Sequence, residues 1–321
     1  THRLSSAASD VYKRQDLIIA IGARFDDRIT NTPSLFAPKA RIIHIDVDPA
    51  SISKIINADI PIVGQVKESI AALIKEIKRS KLKIDSDALD AWNDQISSWR
   101  AKHGLDHELY LKNNKAKMIL PQVVVQELYQ ATNGNAWVTS DVGQHQMFVA
   151  QYYHFNKPRR WINSGGLGTM GFGLPAAMGA KLAYPKDEVV CVTGEGSIQM
   201  CIQELSTCLQ YNLPIKIINI NNEALGMVRQ WQDMNYGGRH SASTYADSLP
   251  DFVKLAESYG HVGMKVTKQS QLRKTLDKAF AMKDRLVFVD VYVDPNEHVY
   301  PMLVAPSGSM KDMWIKKNKK A

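Results

Sequence analysis

The chain has 321 residues, 45% hydrophobic and 22% charged, which is ordinary globular composition and long enough for two domains with separate cores. No apolar stretch nears the length of a membrane span and no charged-then-apolar leader is present, which argues against a membrane-spanning protein; a soluble, cytoplasmic protein is expected. Of the net charge of +8, four charges come from Lys316, Lys317, Lys319 and Lys320 in the tail, and no basic stripe elsewhere interleaves with stacking aromatics, so neither nucleic acid nor a membrane is an expected partner.

In chain order, residues 1–15 start at Thr1, show no strand or helix period, and are expected to be a non-native leader. Leu17 to Ile21 and Ile42 to Val47 are short apolar runs ended by Gly22 and by Asp48-Pro49, which predicts parallel strands of a nucleotide-binding domain over 16–100. Val66, Ile70, Leu73, Ile74 and Ile77 mark an amphipathic helix; Leu89, Trp92, Ile96 and Trp99 mark a second apolar face. A polar linker is expected over 101–117, then a second domain over 118–300 with strands near 136–140, 188–193, 215–220, 262–266 and 286–293 alternating with helices, then a tail over 301–321. The fold class predicted is α/β, with two doubly wound parallel-sheet domains. Cys191, Cys201 and Cys208 lack CxxC spacing; one lies in a strand and two share a helical face, which predicts buried free thiols.

The most informative stretch spans 189–222. The apolar run Val189 to Thr193 reads as a buried strand that ends at Gly194-Glu195-Gly196-Ser197, where glycines let backbone approach a phosphate. Ser197 opens a predicted helix with the stripe Ile198, Ile202, Leu205 and Leu209, stopped by Asn212-Leu213-Pro214 before the strand Ile215 to Ile220. This βαβ unit delivers Glu195 and Asn222 to one carboxyl edge, where open α/β sheets bind ligands. A carboxylate and a carboxamide there offer the hard oxygens that Mg²⁺ prefers. Gly166, Gly168 and Gly171 form a GxGxxG match, a weak dinucleotide signal: Arg160 to Asn163 is too short and polar to read as the required preceding strand, and Asp187 precedes the next strand where a ribose-binding acid should follow it.

The spacing of Gly194-Glu195-Gly196 and Asn221-Asn222 resembles the thiamin diphosphate motif, whose usual form is Gly-Asp-Gly with Asn-Asn at this distance. SDVGQHQM (140–147), WINSGGLGTMGFGLPAAMGA (161–180), IQELSTCLQYNLP (202–214) and NNEALGMVRQWQ (221–232) resemble the catalytic large subunits of acetolactate synthases. GARFDDRIT (22–30) and IIHIDVDPASI (42–52) resemble the flavin-binding middle domain of that family, and the likeness runs over about residues 16–315. The resemblance implies thiamin diphosphate held by Val142, Gly143, Gln144, His145, Gly168, Met170, Gly194, Gly196, Ser197, Gly226, Met227 and Val228. It implies Mg²⁺ on the side chains of Glu195 and Asn222 and the main-chain carbonyl of Ala224. It gives catalytic roles to Met170, the wedge that bends the cofactor, to Met227, and to Trp231, which shapes access for the second substrate. FAD would be held by Gly22, Arg24, Asp26, Arg28, Asp46, Val47, Gly64 and Gln65. Two positions depart from the family pattern: Glu195 and Gln65 stand where aspartate is usual, and the longer Glu195 side chain is expected to weaken Mg²⁺ binding.

The implied activity is decarboxylation of pyruvate and joining of the product to pyruvate or 2-oxobutanoate, the first step of branched-chain amino acid biosynthesis. The resemblance also implies a homodimer or tetramer, a possible regulatory small subunit, and a catalytic glutamate in an upstream half that this chain lacks, so the chain alone is expected to be inactive. The alternatives are a thiamin diphosphate and FAD enzyme of the pyruvate oxidase type, a non-catalytic nucleotide-binding remnant and, third, a NAD-dependent dehydrogenase.

Overall fold

The computed structural model describes residue 11, residues 14–103, residue 105 and residues 118–302, so most of the expected leader at 1–15, the linker at 101–117 and the tail at 301–321 lies outside the described residues. Two compact units separate, one built from the described residues up to 105 with residues 300–302, the other from 118–299. Among the described residues no helix is long and apolar enough to cross a membrane.

The first unit has three parallel strands in the order β1-β2-β3: β1 (Leu17–Ile21), β2 (Arg41–Asp46) and β3 (Ile60–Val63). The short helix α1 (Asp27–Thr30) follows β1, and α2 (Val66–Ser80) and α3 (Ser86–His103) follow β3. Ala20, Phe25, Phe36, Ala37 and Ile42 form its core. The predicted amphipathic period of α2 holds, yet no residue of that helix is buried. The sequence reading missed β3, which is four residues long and carries Pro61; a strand on the sheet edge tolerates a proline because its outer side needs no donor.

The second unit is a six-stranded parallel sheet in the order β5-β4-β6-β7-β9-β8. Its elements are α4 (Pro121–Thr132), β4 (Trp137–Ser140), α5 (Gln144–Tyr152), β5 (Trp161–Asn163), α6 (Gly173–Ala183), β6 (Val189–Thr193), α7 (Glu195–Ile198), α8 (Glu204–Gln210), β7 (Lys216–Asn221), α9 (Gly226–Asn235), α10 (Phe252–Ser258), β8 (Val262–Val266), α11 (Gln269–Ala281) and β9 (Val287–Tyr292). Every residue of β6 and β7 is buried, as expected of central parallel strands covered on both faces. Val189, Cys191, Ile217 and Phe288 pack on one face with Leu174, Ala177, Leu205, Phe252 and Ala256 from α6, α8 and α10. The alternate residues Val190, Val192, Ile218 and Val289 point to the opposite face, toward the layer made by α4, α5 and α11.

Two expectations are corrected here. Residues 161–163, read as too polar for a strand, form β5 on the edge of the sheet, paired with β4 from Val138 to Ser140. Arg160 explains the polar flank: its guanidinium lies 4.2 Å over the Trp137 ring and 2.8 Å from Asp187, which also accepts from Trp137 Nε1. Asp187 is therefore held in a structural cluster, as its position before the strand suggested. The single helix expected from Ser197 to Leu209 is broken into α7 and α8, with a turn over 199–203, and Leu209 is 48% exposed. All three cysteines are free and buried as predicted, although Cys201 sits in that turn and not on a continuous helix with Cys208.

Phe288 has no exposed surface and stacks on Phe252 with ring centres 5.8 Å apart. Phe288→Ala is expected to destabilise the second unit by about 3–5 kcal/mol, read as a lowered urea midpoint.

Candidate functional site

In the six-stranded sheet the connection after β4 runs outward to the edge strand β5, whereas the connection after β6 runs the other way to β7. The carboxyl ends of β4 and β6 therefore flank a topological switch point, where the departing chains leave a crevice. A pocket lies there, with about 570 Å³ of empty space counted out to its open mouth. The loops after β4, β6 and β7 supply most of its walls.

Asp141, the residue after β4, ties together the segments beneath the pocket. It is wholly buried, accepts from the Gly173 N–H at 2.5 Å and from the Thr193 hydroxyl, and so ties the ends of β4 and β6 to the start of α6. A side chain on Gly173 would meet Asp141 at 3.0 Å, which explains glycine at that position.

The next residues carry the predicted contacts. His145, on the first turn of α5, is 7% exposed; a Cβ on Gly194 would stand 2.9 Å from its Nδ1 and one on Gly143 would collide with the same ring. Burial lowers its pKa to about 4 against the opposing pull of Asp141, so the ring is neutral near pH 7. Its Nε2 is buried with no hydrogen-bond partner among the described residues. Gln144 accepts from Asn222 Nδ2 at 2.9 Å and donates to Gln230 at 2.8 Å, and Gln230 in turn donates to the Val299 carbonyl and accepts from its N–H, each at 2.9 Å. Gly226 must be glycine, because a Cβ there would collide with both Gln144 and Asn222.

Glu195 is 1% exposed, and its carboxylate meets its own N–H in the first turn of α7. Its carboxylate reaches across to the β7 loop and accepts from the N–H groups of Asn222 at 3.1 Å and Ala224 at 2.9 Å. That loop is shaped by Asn221, which accepts from the Glu223 N–H and donates to Asp290, and by Glu223 itself at φ +57. Burial drives the Glu195 carboxyl up to about 8 despite hydrogen bonds from its own N–H and from those of Ala224 and Asn222. Among the described residues no cluster of three His, Cys, Asp or Glu side chains gathers, so the cation donors on offer are one carboxylate, one carboxamide and main-chain carbonyls.

Of the residues predicted for this site, Val142, Gly143, Gln144, His145, Met170, Gly194, Glu195, Gly196, Ser197, Asn222, Ala224, Gly226, Met227 and Val228 all line the pocket. Gly168 and Trp231 do not. Gly168 is in the left-handed region at φ +71, supporting the turn beside Val142; Trp231 is half-buried one turn beyond Met227 on α9. The sequence reading missed Pro121, Phe148, Ile220, Leu225 and Tyr245, which also line it. The first three sit in apolar runs that read as core, and nothing local marks Leu225 or Tyr245.

The second predicted cluster lies in the first unit. Gly22, Asp46 with Val47, and Gly64 with Gln65 fall at the carboxyl ends of β1, β2 and β3, one common edge. Gly22 takes φ +60 and donates to Ile45, and Gly64 donates to the Asp46 carbonyl, both at 2.9 Å. Arg24 pairs with Asp26 and Arg28 with Asp27, each at 3.0 Å, while Asp26 also caps α1 through the Arg28 N–H. The ion-paired loop that the sequence also allowed is thus present at the edge where a dinucleotide would lie.

Glu195 keeps its proton in the fold up to about pH 8, while its ordinary pKa is 4.5, so between those values the folded chain binds more protons than the unfolded one. Stability of the metal-free protein is therefore expected to fall as pH rises through that window. Glu195→Gln, which can still accept both N–H bonds, should flatten the decline and gain roughly 2–4 kcal/mol at pH 8, measured by denaturant unfolding at a series of pH values.

Comparison with known proteins agrees with this geometry. A family profile described as "Thiamine pyrophosphate enzyme, C-terminal TPP binding domain" matches residues 141–291, and one described as "Thiamine pyrophosphate enzyme, central domain" matches residues 2–73, a span that takes in the stretch read as a leader. The chain is 55% identical over 304 residues to the acetolactate synthase large subunit of Buchnera aphidicola subsp. Schizaphis graminum, covering 94% of this chain and 52% of that protein. It is 53% identical over 307 residues to the acetolactate synthase isozyme 3 large subunit of Escherichia coli strain K12, and 52% identical over 310 residues to the large subunit of Haemophilus influenzae, covering 95% and 97% of this chain and 52% and 53% of those proteins. The chain spans about half the length of the curated relatives it matches.

Proposed function

We infer that this chain, which belongs to the thiamine pyrophosphate enzymes and within them to the acetolactate synthase large subunits, anchors thiamin diphosphate and Mg²⁺ in its switch-point pocket as part of an enzyme that joins pyruvate to a second 2-oxo acid, pyruvate or 2-oxobutanoate. The observation that carries this reading is the pairing of two unsatisfied groups at one turn. Among the described residues the buried Glu195 carboxyl has no counter-charge and the buried His145 Nε2 has no partner, and the two stand on either side of Gly194. A cation answers the first and a phosphate oxygen answers the second.

Glu195, Asn222 and the Ala224 carbonyl would hold Mg²⁺. The amide of Asn222 gives its NH₂ to Gln144, which leaves its carbonyl oxygen as the end a cation can use. Ser197, the N–H groups from Gly194 to Ser197, Gln144 and neutral His145 would hold the diphosphate by donating to its oxygens, in a pocket where glycines at 143, 194, 196 and 226 clear the space. Met170, Val142, Met227 and Val228 supply apolar walls that shed water from the reacting end. Trp231 is assigned to the approach to the pocket and Gly168 to the turn that supports Met170. When bound, thiamin diphosphate supplies the electron sink for removing CO₂ from one 2-oxo acid and joining the remaining carbons to another.

The carboxyl edge of the first sheet is assigned to FAD, with Asp46 accepting from a ribose hydroxyl and Arg24 and Arg28 facing the diphosphate. Both arginines already pair with aspartates and Gln65 brings no charge, which weakens the expected hold on FAD, whose role in the family is structural. A cytoplasmic homo-oligomer, with a regulatory small subunit as a further partner, completes the reading.

Thiamin diphosphate is expected to quench tryptophan fluorescence only when Mg²⁺ is present, and its binding with Mg²⁺ at pH 7 should release close to one proton, because Glu195 must ionise to ligate. Calorimetry in buffers of different ionisation enthalpy measures that proton; binding indifferent to Mg²⁺ would overturn the assignment. The assembled enzyme containing this chain should form acetolactate from pyruvate without consuming oxygen, and oxygen uptake without acetolactate would point to an oxidase instead. Glu195→Asp should lower the apparent Mg²⁺ dissociation constant about 3–10-fold, since the shorter side chain relieves the crowding of a ligand set that tolerates little deviation from octahedral geometry.

A further inference from the structure

Tyr245 enters the pocket from a segment with no predicted role. Residues 243–245 lie antiparallel to 223–225: the Leu225 N–H donates to the Ser243 carbonyl at 2.8 Å, the Tyr245 N–H donates to the Glu223 carbonyl at 3.2 Å, and Ala224 bridges Thr244 between them. The loop that carries Asn222 and Ala224 therefore holds Tyr245 in register with itself. Its ring runs inward to line the pocket, and its hydroxyl stops against the β6–α7 turn, where a Cβ on Gly196 would stand 2.9 Å from it and 3.6 Å from Met170 Cε. Glycine at 196 thus leaves room for this hydroxyl as well as for backbone approach.

That hydroxyl is buried and has no hydrogen-bond partner among the described residues. Leaving it so costs free energy that a fold normally avoids. Among the described buried side-chain atoms left unsatisfied, two belong to residues that line the pocket, His145 Nε2 and Tyr245 Oη, and they flank the same Gly194-Glu195-Gly196 turn from opposite ends. Burial, with the nearby Glu195 carboxylate second, pushes the phenol well above its ordinary range, so it stays protonated and can act as a donor.

We propose that the Tyr245 hydroxyl is a cofactor-binding group, donating a hydrogen bond to a diphosphate oxygen of thiamin diphosphate bound at the Gly194–Ser197 turn. The inference rests on the reading of this pocket as a thiamin diphosphate site and adds a donor from outside the loops that carry the recognised motifs. A neutral donor to an anionic oxygen in a buried site contributes enough for its loss to be measured.

The test is Tyr245→Phe, which keeps the ring and removes one oxygen. Dissociation constants for thiamin diphosphate and for inorganic pyrophosphate are measured with Mg²⁺ by fluorescence quenching, alongside Tyr236→Phe, an exposed position outside the pocket. The expected result is about tenfold weaker binding of both ligands to Tyr245→Phe, with Tyr236→Phe unchanged. The melting temperature of the ligand-free variant should match or exceed the parent's, because an unpartnered hydroxyl is removed, whereas the rise on adding thiamin diphosphate should shrink; a merely structural tyrosine would lower the ligand-free value instead. Parent-like affinity for thiamin diphosphate would overturn the proposal, as would weakened thiamin diphosphate binding with pyrophosphate binding intact, which places the acceptor elsewhere. If the parent protein itself failed to bind thiamin diphosphate, the pocket assignment would fall first.

Discussion

Asp141 sits with no exposed surface where β4 ends, and its carboxylate is the shared acceptor for the Thr193 hydroxyl at the end of β6 and the Gly173 N–H at the start of α6. Three segments that are far apart in sequence are thereby held within hydrogen-bond reach of a single group. The β4 and β6 loops leave this point in opposite directions, so the crevice between them is open because of the topology and fixed in width because of the clamp. Removing the carboxylate would strand two buried donors, at about 1–3 kcal/mol each, and would free the loops on which the pocket depends.

From that clamp upward, the site is organised by side chains that bind one another. Gln144 is the central link: it joins the β4 loop to Asn222 in the β7 loop and to Gln230 on α9, and Gln230 is itself held at both ends by the backbone of Val299. His298 beside it donates from Nε2 to Asp233 at 2.8 Å, and Asp233 also faces His240 at 2.7 Å, which fastens the far end of the same network to α9. Glu195 and His145 are oriented by this framework yet left electrically incomplete. A protein that buries a carboxyl with its pKa driven up to about 8 and a ring nitrogen with no partner among the described residues accepts a stability penalty at one turn, and such penalties concentrate where a ligand later removes them.

The pocket was legible to the extent that its residues are carried on turns. Gly143, Gly194, Gly196 and Gly226 stand out locally, and the structure gives each a specific neighbour that a Cβ would strike. The helix expected after Gly196 was less legible: its apolar stripe is real, with Ile198 and Leu205 fully buried, but the chain turns over 199–203 so that both halves can follow the sheet. The edge strands β3 and β5 escaped because they are only four and three residues long and carry a proline or polar residues, whereas the edge strands β1 and β8, five residues each, were read. Lys216 shows the same limit in reverse: a lysine opening a strand reads as solvated, yet it is 1% exposed, with its ammonium donating to the carbonyls of Met282 and Arg285.

The sequence by itself determined the parallel α/β class, the central strands, the glycine turns and the chemistry of Glu195, His145 and Asn222. These are local properties: a strand's apolar run, a glycine's freedom and a carboxylate's affinity for cations travel with the residues themselves. Tertiary structure alone decided that Asp141 is the clamp, that Glu195 reaches across to the Asn222 and Ala224 N–H groups, that Trp231 stands off the pocket and that Tyr245 enters it. Each of those facts is a contact, or the lack of one, between elements whose spacing is set by how helices pack on a twisted sheet, and no period in the sequence encodes that distance.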